Sequence, residues 1–168
     1  SYPSLLAEML TATLAVQGML WDTSPAAAEL EERMMEWLNQ MTGIPEVFYG
    51  VIYDGASTAT LSAMINARER ATNYQINQNG FPSNQIFRVY TSSEAHSSIE
   101  KAAKMAGIGK SNVVKISTDD QFRLRPDVLE QVIADDKAKG LTPLCVVATL
   151  GTTSCTAIDP LEPIASIC

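Results

Sequence analysis

The chain has 168 residues, 46% of them hydrophobic, and a net charge of −7 from 19 acidic against 12 basic side chains. That apolar share is enough for a core and excludes a disordered segment, while the acidic balance argues against a nucleic-acid partner, since phosphate backbones select basic faces. No apolar run approaches the length of a membrane span, and Cys145, Cys155 and Cys168 lack the even count and spacing of a disulfide framework, which suits free thiols in the cytoplasm.

The opening residues do not read as a charged-then-apolar leader. One histidine and no paired cysteines give no reason to expect a zinc or other metal site. Residues 4–20 are apolar almost all round, with Glu8 and Gln17 the main exceptions, and predict a helix buried on more than one side. A second helix follows in "SPAAAELEERMMEWLNQMTG", with Ser24 as N-cap, Pro25 at the first helical position and Gly43 as the stop. Leu30, Met34, Trp37, Leu38 and Met41 repeat at helical spacing and predict a core stripe.

Val47–Tyr53 reads as a strand, Asp54 and Gly55 as a turn, and Leu61, Met64 and Ile65 as the stripe of a third helix. "NYQINQNGFPSNQ" reads as a polar loop. Next come a strand in "IFRVYTS", a helix over Ile99–Ala106, and a short strand in "NVVKIS" from Asn112. "RPDVLEQVIADDKAKG" is an amphipathic helix opened by Pro126 and closed by Gly140. "PLCVVATL" is unbroken in its apolar character, the pattern of a central parallel strand. A last helix begins near Pro160. Strand and helix alternate, which predicts an α/β fold with a mostly parallel sheet and helices on both faces.

Ligands of open parallel sheets bind beyond the carboxyl ends of the strands. Three expected strands end there in small hydroxyl-rich stretches, "DGASTAT", "SSEAHSS" and "GTTSC". In the first, Gly55 and Ala56 permit close backbone approach to an anion, Ser57 offers a hydroxyl, and the next helix offers its N-terminal N–H groups. An ordinary N-cap at Ser57 or Thr58 explains the same residues. The glycine spacing is neither that of a P-loop nor that of a dinucleotide fingerprint. Thr152 and Thr153 place two hydroxyls past a buried strand, or form a solvated turn. His96, the one histidine, stands at a strand-to-helix junction, where a lone imidazole commonly makes one or two turn hydrogen bonds. Together the three loops would surround one small anionic ligand.

"SYPSLLAEML", "SPAAAELEERMMEWL", "GASTATL", "SSEAHSSIEKAA" and "VATLGTTSCTAID" closely resemble, in the same order along essentially the whole chain, the pyridoxal-phosphate-dependent decarboxylases of the aromatic amino acid decarboxylase group. "AHSS" and "ATLGTT" are the most specific of these motifs. The resemblance implies a fold-type I large domain, a three-layer α/β/α architecture with a mostly parallel sheet, working as a homodimer with pyridoxal 5'-phosphate. The implied reaction is decarboxylation of an L-amino acid, aromatic by resemblance, to the amine and CO2. Ala56 and Ser57, with Gly55 beside them, match the phosphate loop. His96 matches the histidine that stacks on the cofactor ring and contacts substrate, with the flanking serines and Glu94 expected to orient it. Thr153 matches a cofactor-contacting threonine, and Asp159 an aspartate just after that loop. Tyr2, Pro3 and the loop from Trp21 to Pro25 match regions of substrate pocket and dimer contact.

Residues 1–168 read as part of a single domain truncated at both ends, opening without Met and stopping inside an apparent helix. The family's ring-nitrogen acid and Schiff-base lysine belong to motifs of the type HVDAAYAG and NPHKW, and neither pattern occurs here. The chain alone is therefore expected to be inactive, completed by a partner copy or by further chain. Asp54, where the group more often has a neutral residue, would repel a phosphate unless it points away. Two other readings remain open: a non-catalytic fragment or interaction module of a split or truncated enzyme, and an aldehyde synthase of the same group.

Overall fold

The computed structural model describes residues 1–45 and 47–168. The chain divides into two compact units, Ser1–Tyr53 and Asp54–Cys168.

In the first unit α1 spans Tyr2–Thr13 and α2 spans Pro25–Thr42. The expected helix over residues 4–20 is cut short. Ala15 adopts a positive φ of 50°, which a continuing right-handed helix does not allow, and the Thr23 hydroxyl closes the following turn on the carbonyls of Gln17 and Leu20. No residue of α1 or α2 is buried. The Leu30–Met41 stripe, expected as core, is exposed along its length. α2 does begin and end where proline and glycine place it: Pro25 follows the N-cap Ser24, and Gly43 takes the left-handed conformation at φ 68°.

Val47–Tyr53 is not a strand. A strand needs a neighbouring ladder for its N–H and C=O groups, and two of this segment's groups bond to α2 side chains instead. Glu31 accepts from the Ile52 N–H at 3.0 Å, and Asn39 donates to the Phe48 carbonyl at 3.2 Å.

The second unit begins with α3, Ala56–Ala71, and α4, Gln75–Asn79. α4 lies inside the expected polar loop, and its Ile76 is buried against the core. Then come β1 (Phe87–Ser92), α5 (Ser98–Met105), a 3-10 turn at Lys110–Asn112, β2 (Val113–Ile116), α6 (Pro126–Ala138), β3 (Thr142–Val147) and α7 (Leu161–Ile167). The sheet has the order β2-β1-β3 and both pairings are parallel, with Tyr90 opposite Val114 on one side and Val146 on the other. β1, not β3, is therefore the central strand. β3 stays half-buried because no strand covers its outer edge among the described residues.

Side chains alternate across a strand, so neighbours on β1 serve opposite cores. Val89 joins Met64, Ile99 and Ala103 under α3, α4 and α5, whereas Tyr90 joins Leu124, Leu129 and Ile164 under α6 and α7. Three layers result. Each large apolar side chain fully buried here contributes about 1.5–3 kcal/mol.

Two polar struts lock helices to this frame. Arg68, in the last turn of α3, donates to Glu69 and, at 2.6 Å, to the carbonyl of Ala106 at the end of α5. On the other face the buried Asp136 of α6 accepts from Arg88 at 3.1 Å and from the Tyr90 hydroxyl at 2.9 Å.

Candidate functional site

β1 and β3 are parallel neighbours, so the segments leaving their carboxyl ends emerge at one edge of the sheet. The Thr91 hydroxyl ties the strands there by donating to the Val147 carbonyl at 3.0 Å. The bond from Arg68 to Ala106 sets the C-terminal ends of α3 and α5 side by side. The two helices pack into one core, and the N-terminus of α5 follows the carboxyl end of β1.

At the start of α3, Gly55 is the N-cap and the first helical bond runs from the Ala59 N–H to the Gly55 carbonyl at 3.1 Å. Ser57 and Thr58 are thus inside the first turn and are not the cap. The N–H groups of Ala56, Ser57 and Thr58 have no backbone acceptor among the described residues, and Ala56 and Ser57 are exposed. A Cβ added to Gly55 would meet no atom within 4 Å. Asp54 is exposed just before this turn and makes no ion pair among the described residues.

After β1 the chain turns through Ser92, whose hydroxyl accepts the Glu94 N–H at 3.1 Å while Ser93 donates to the Ile116 carbonyl at 2.9 Å. His96 then stands exposed before α5. Its Nδ1 accepts the backbone N–H of Ser98 at 3.2 Å, so the neutral ring carries its proton on Nε2. Of the flanking serines and Glu94 expected to orient the ring, Ser98 bonds to it, through its backbone N–H. Among the described residues, no hydrogen bond joins the Glu94 carboxylate to the ring.

The third segment is a closed loop. Gly151, at φ 93°, and Thr152 both donate to the Ala157 carbonyl, at 2.9 and 3.0 Å, and Leu150 bridges Ile158. Thr153 is exposed on the rim and Thr152 is 1% exposed. Asp159, also 1% exposed, takes the N–H of Thr149 on one carboxylate oxygen and that of Leu124 on the other, each at 2.8 Å. Asp159 is thus a strut between β3's exit and the approach to α6.

His96 follows β1 and Thr153 follows β3 at the carboxyl edge of the sheet, and Gly55, Ala56 and Ser57 open α3. Tyr2 and Pro3 lie in the first turn of α1, and Trp21 lines an open groove with Met35, Asn39 and Phe48 in the first unit. Sequence reasoning expected the flanking serines to orient His96 but missed that Ser98 acts through its backbone N–H, and it missed the anchoring role of Thr152. Neither has a sequence signature, because each depends on where a backbone N–H points.

Residues 1–168 match the pyridoxal-dependent decarboxylase conserved domain over their whole length. The chain belongs to the pyridoxal-dependent decarboxylase family. Aromatic-L-amino-acid decarboxylase of Bos taurus is 39% identical over 182 residues, covering 100% of this chain and 36% of that protein. Phenylacetaldehyde synthase of Arabidopsis thaliana is 37% identical over 175 residues, covering 99% of this chain and 35% of that protein. The crystal structure of Catharanthus roseus tryptophan decarboxylase in complex with L-tryptophan matches with a TM-score of 0.90 at 38% identity, over 99% of this chain and 37% of that one. The chain spans about a third of the length of the relatives it matches.

The fold is that of the fold-type I decarboxylases, and the family's cofactor is pyridoxal 5'-phosphate. The donors of these segments fit such a group. A helix N-terminus presents roughly half a positive charge and free N–H groups to a phosphate, neutral hydroxyls stand beside it, and an exposed imidazole offers its ring face.

Proposed function

We propose that this chain supplies the phosphate- and ring-binding edge of a pyridoxal-phosphate-dependent L-amino acid decarboxylase acting on aromatic substrates. The observation that carries the reading is that His96 and the Thr153 loop leave the parallel neighbours β1 and β3 at one sheet edge, in a chain of this family; on this reading the α3 N-terminus joins them around the cofactor. The N–H groups of Ala56, Ser57 and Thr58 and the Ser57 hydroxyl hold the phosphate. His96 lies against the cofactor ring, its Nδ1 occupied by the Ser98 amide, and points its Nε2–H at the substrate carboxylate. The Thr153 hydroxyl makes a further cofactor contact. When bound, the cofactor supplies the electron sink for cleavage at the substrate's α-carbon.

None of the six lysines is assigned as the Schiff-base residue. Lys110 and Lys115 pair with Glu100, Lys137 and Lys139 lie at the far end of α6, and Lys101 and Lys104 are exposed on α5. The 168 residues alone are inactive on this reading. Tyr2, Pro3 and Trp21 contribute to the substrate pocket or the dimer contact of the whole enzyme, which works as a homodimer. The match to a phenylacetaldehyde synthase supports a second reading, an aldehyde synthase of the same group, built on the same cofactor edge.

The test is His96→Ala in the full-length enzyme. Loss of a positioned proton-handling group lowers kcat on the order of 10²–10⁴-fold, while cofactor affinity, shared among several contacts, changes little. Near-normal kcat would make His96 structural. Assaying CO2 against aldehyde in the wild-type enzyme separates the two reactions.

A further inference from the structure

The two adjacent threonines of "GTTSC" are oppositely disposed. Thr153 is exposed, but Thr152 is 1% exposed and its hydroxyl bonds within the loop. The hydroxyl accepts the Ala157 N–H at 3.0 Å and lies 2.9 Å from Cys155 Sγ, to which it can donate its proton. The Thr152 carbonyl accepts the Thr156 N–H at 2.8 Å, and its own N–H reaches the Ala157 carbonyl at 3.0 Å. One residue thus makes four bonds across a seven-residue loop that holds two positive φ angles, at Gly151 (93°) and Thr156 (55°). A non-glycine residue at positive φ is held there only when its surroundings over-determine it.

We propose that Thr152 is a positioning residue, which sets the direction of the Thr153 hydroxyl toward the cofactor by pinning the loop from beneath. The inference rests on the reading of Thr153 as a cofactor contact. Thr152 is 1% exposed and both of its protons are engaged inside the loop, so its influence on binding passes through the loop. Thr152→Val keeps the shape and removes the hydroxyl, freeing Thr153 to swing and leaving the Ala157 N–H without its partner. Thr152→Ser restores both bonds.

The experiment measures binding of pyridoxal 5'-phosphate to the apo form of the full-length enzyme by absorbance titration, for Thr152→Val, Thr153→Val, the double variant and Thr152→Ser. Each single valine variant should weaken binding roughly five- to tenfold, the worth of about one neutral hydrogen bond. The double variant should lose no more than the worse single one, because sites acting through one contact are not additive. Thr152→Ser should bind within about twofold of wild type. Losses that multiply in the double variant, or normal binding by Thr152→Val beside weakened binding by Thr153→Val, overturn the positioning role alone. Normal binding by Thr153→Val overturns the cofactor contact and this inference with it. Hydrogen exchange on the unsubstituted apo enzyme needs no variant to fold: the Ala157 amide should be protected, and exchange at the rate of an open loop overturns the proposal.

Discussion

Asp159 shows how much one buried side chain can hold. Both carboxylate oxygens go to backbone N–H groups, Leu124 on one side and Thr149 on the other, with 1% of the residue exposed. Removing it strands two donors, at about 1–3 kcal/mol each. Asp159→Ala should therefore lower the unfolding free energy of the full-length enzyme by about 2–6 kcal/mol, read as a shift in denaturant midpoint. Asp159→Asn, which keeps one acceptor oxygen, should fall between. A midpoint unchanged in Asp159→Ala would show that the two N–H groups find other partners. The position of Asp159 was legible in the sequence through its motif, and its job was not: a carboxylate beside a cofactor loop reads as a ligand until its hydrogen bonds are seen. His96 divides the same way. Its place between strand and helix can be read from "YTSSEAHSSIEKAA", whereas the proton on Nε2 follows from the direction of the Ser98 N–H.

At the scale of elements, legibility followed local chemistry. α2 and α6 could be read because Pro25 and Pro126 open them and Gly43 and Gly140 stand after them in positive φ. Val47–Tyr53 could not, since β-propensity says only that a segment suits a pleated surface, and here α2 side chains take backbone groups that a neighbouring strand would take. α4 is five residues long, too short for a periodic stripe to show. The junction of β1 and α6 carries a pH signature. Burial pushes the Tyr90 hydroxyl well above its usual range, helped by the hydrogen bond it donates to Asp136 and by that carboxylate's charge. A group whose folded value is raised stabilises fully below its unfolded value, near pH 10 for tyrosine, and loses that contribution as pH rises through the folded value. Stability of the wild-type enzyme should thus fall along an alkaline limb beginning at about pH 10. Tyr90→Phe should flatten that limb while losing about 1 kcal/mol at neutral pH. Urea midpoints measured from pH 7 to 11 decide it, and an equally steep limb in Tyr90→Phe would place its origin elsewhere.

For the molecule as a whole, the decisive quantity is apolar surface left in water by the first unit. Leu5, Leu6, Met9 and Leu10 of α1 are each at least 60% exposed, and the Leu30–Met41 stripe of α2 is exposed as well. Sequence reading took both patterns for buried faces and the structure leaves both exposed, because periodicity reports an apolar face and not what covers it. Leaving such side chains in water forgoes ~1.5–3 kcal/mol each, and four of them sum to a sizeable share of a domain's 5–15 kcal/mol of stability. A second copy of the chain, or the rest of a longer chain, is the cover expected here, and in the isolated 168 residues only the first is available. The opposing effect is the net charge of −7 on each copy. Salt screens that repulsion beyond about 8 Å at physiological strength, whereas burial acts at contact, so burial prevails. The purified 168-residue chain should sediment as a dimer or larger at micromolar concentration and at 0.15 M salt. Pairing should tighten as salt is raised, because screening removes repulsion and leaves burial intact. Leu6→Glu combined with Leu10→Glu, which puts charge on the apolar face of α1, should shift the population toward monomer. A folded monomer at every concentration tested would show that α1 finds its cover within a single chain.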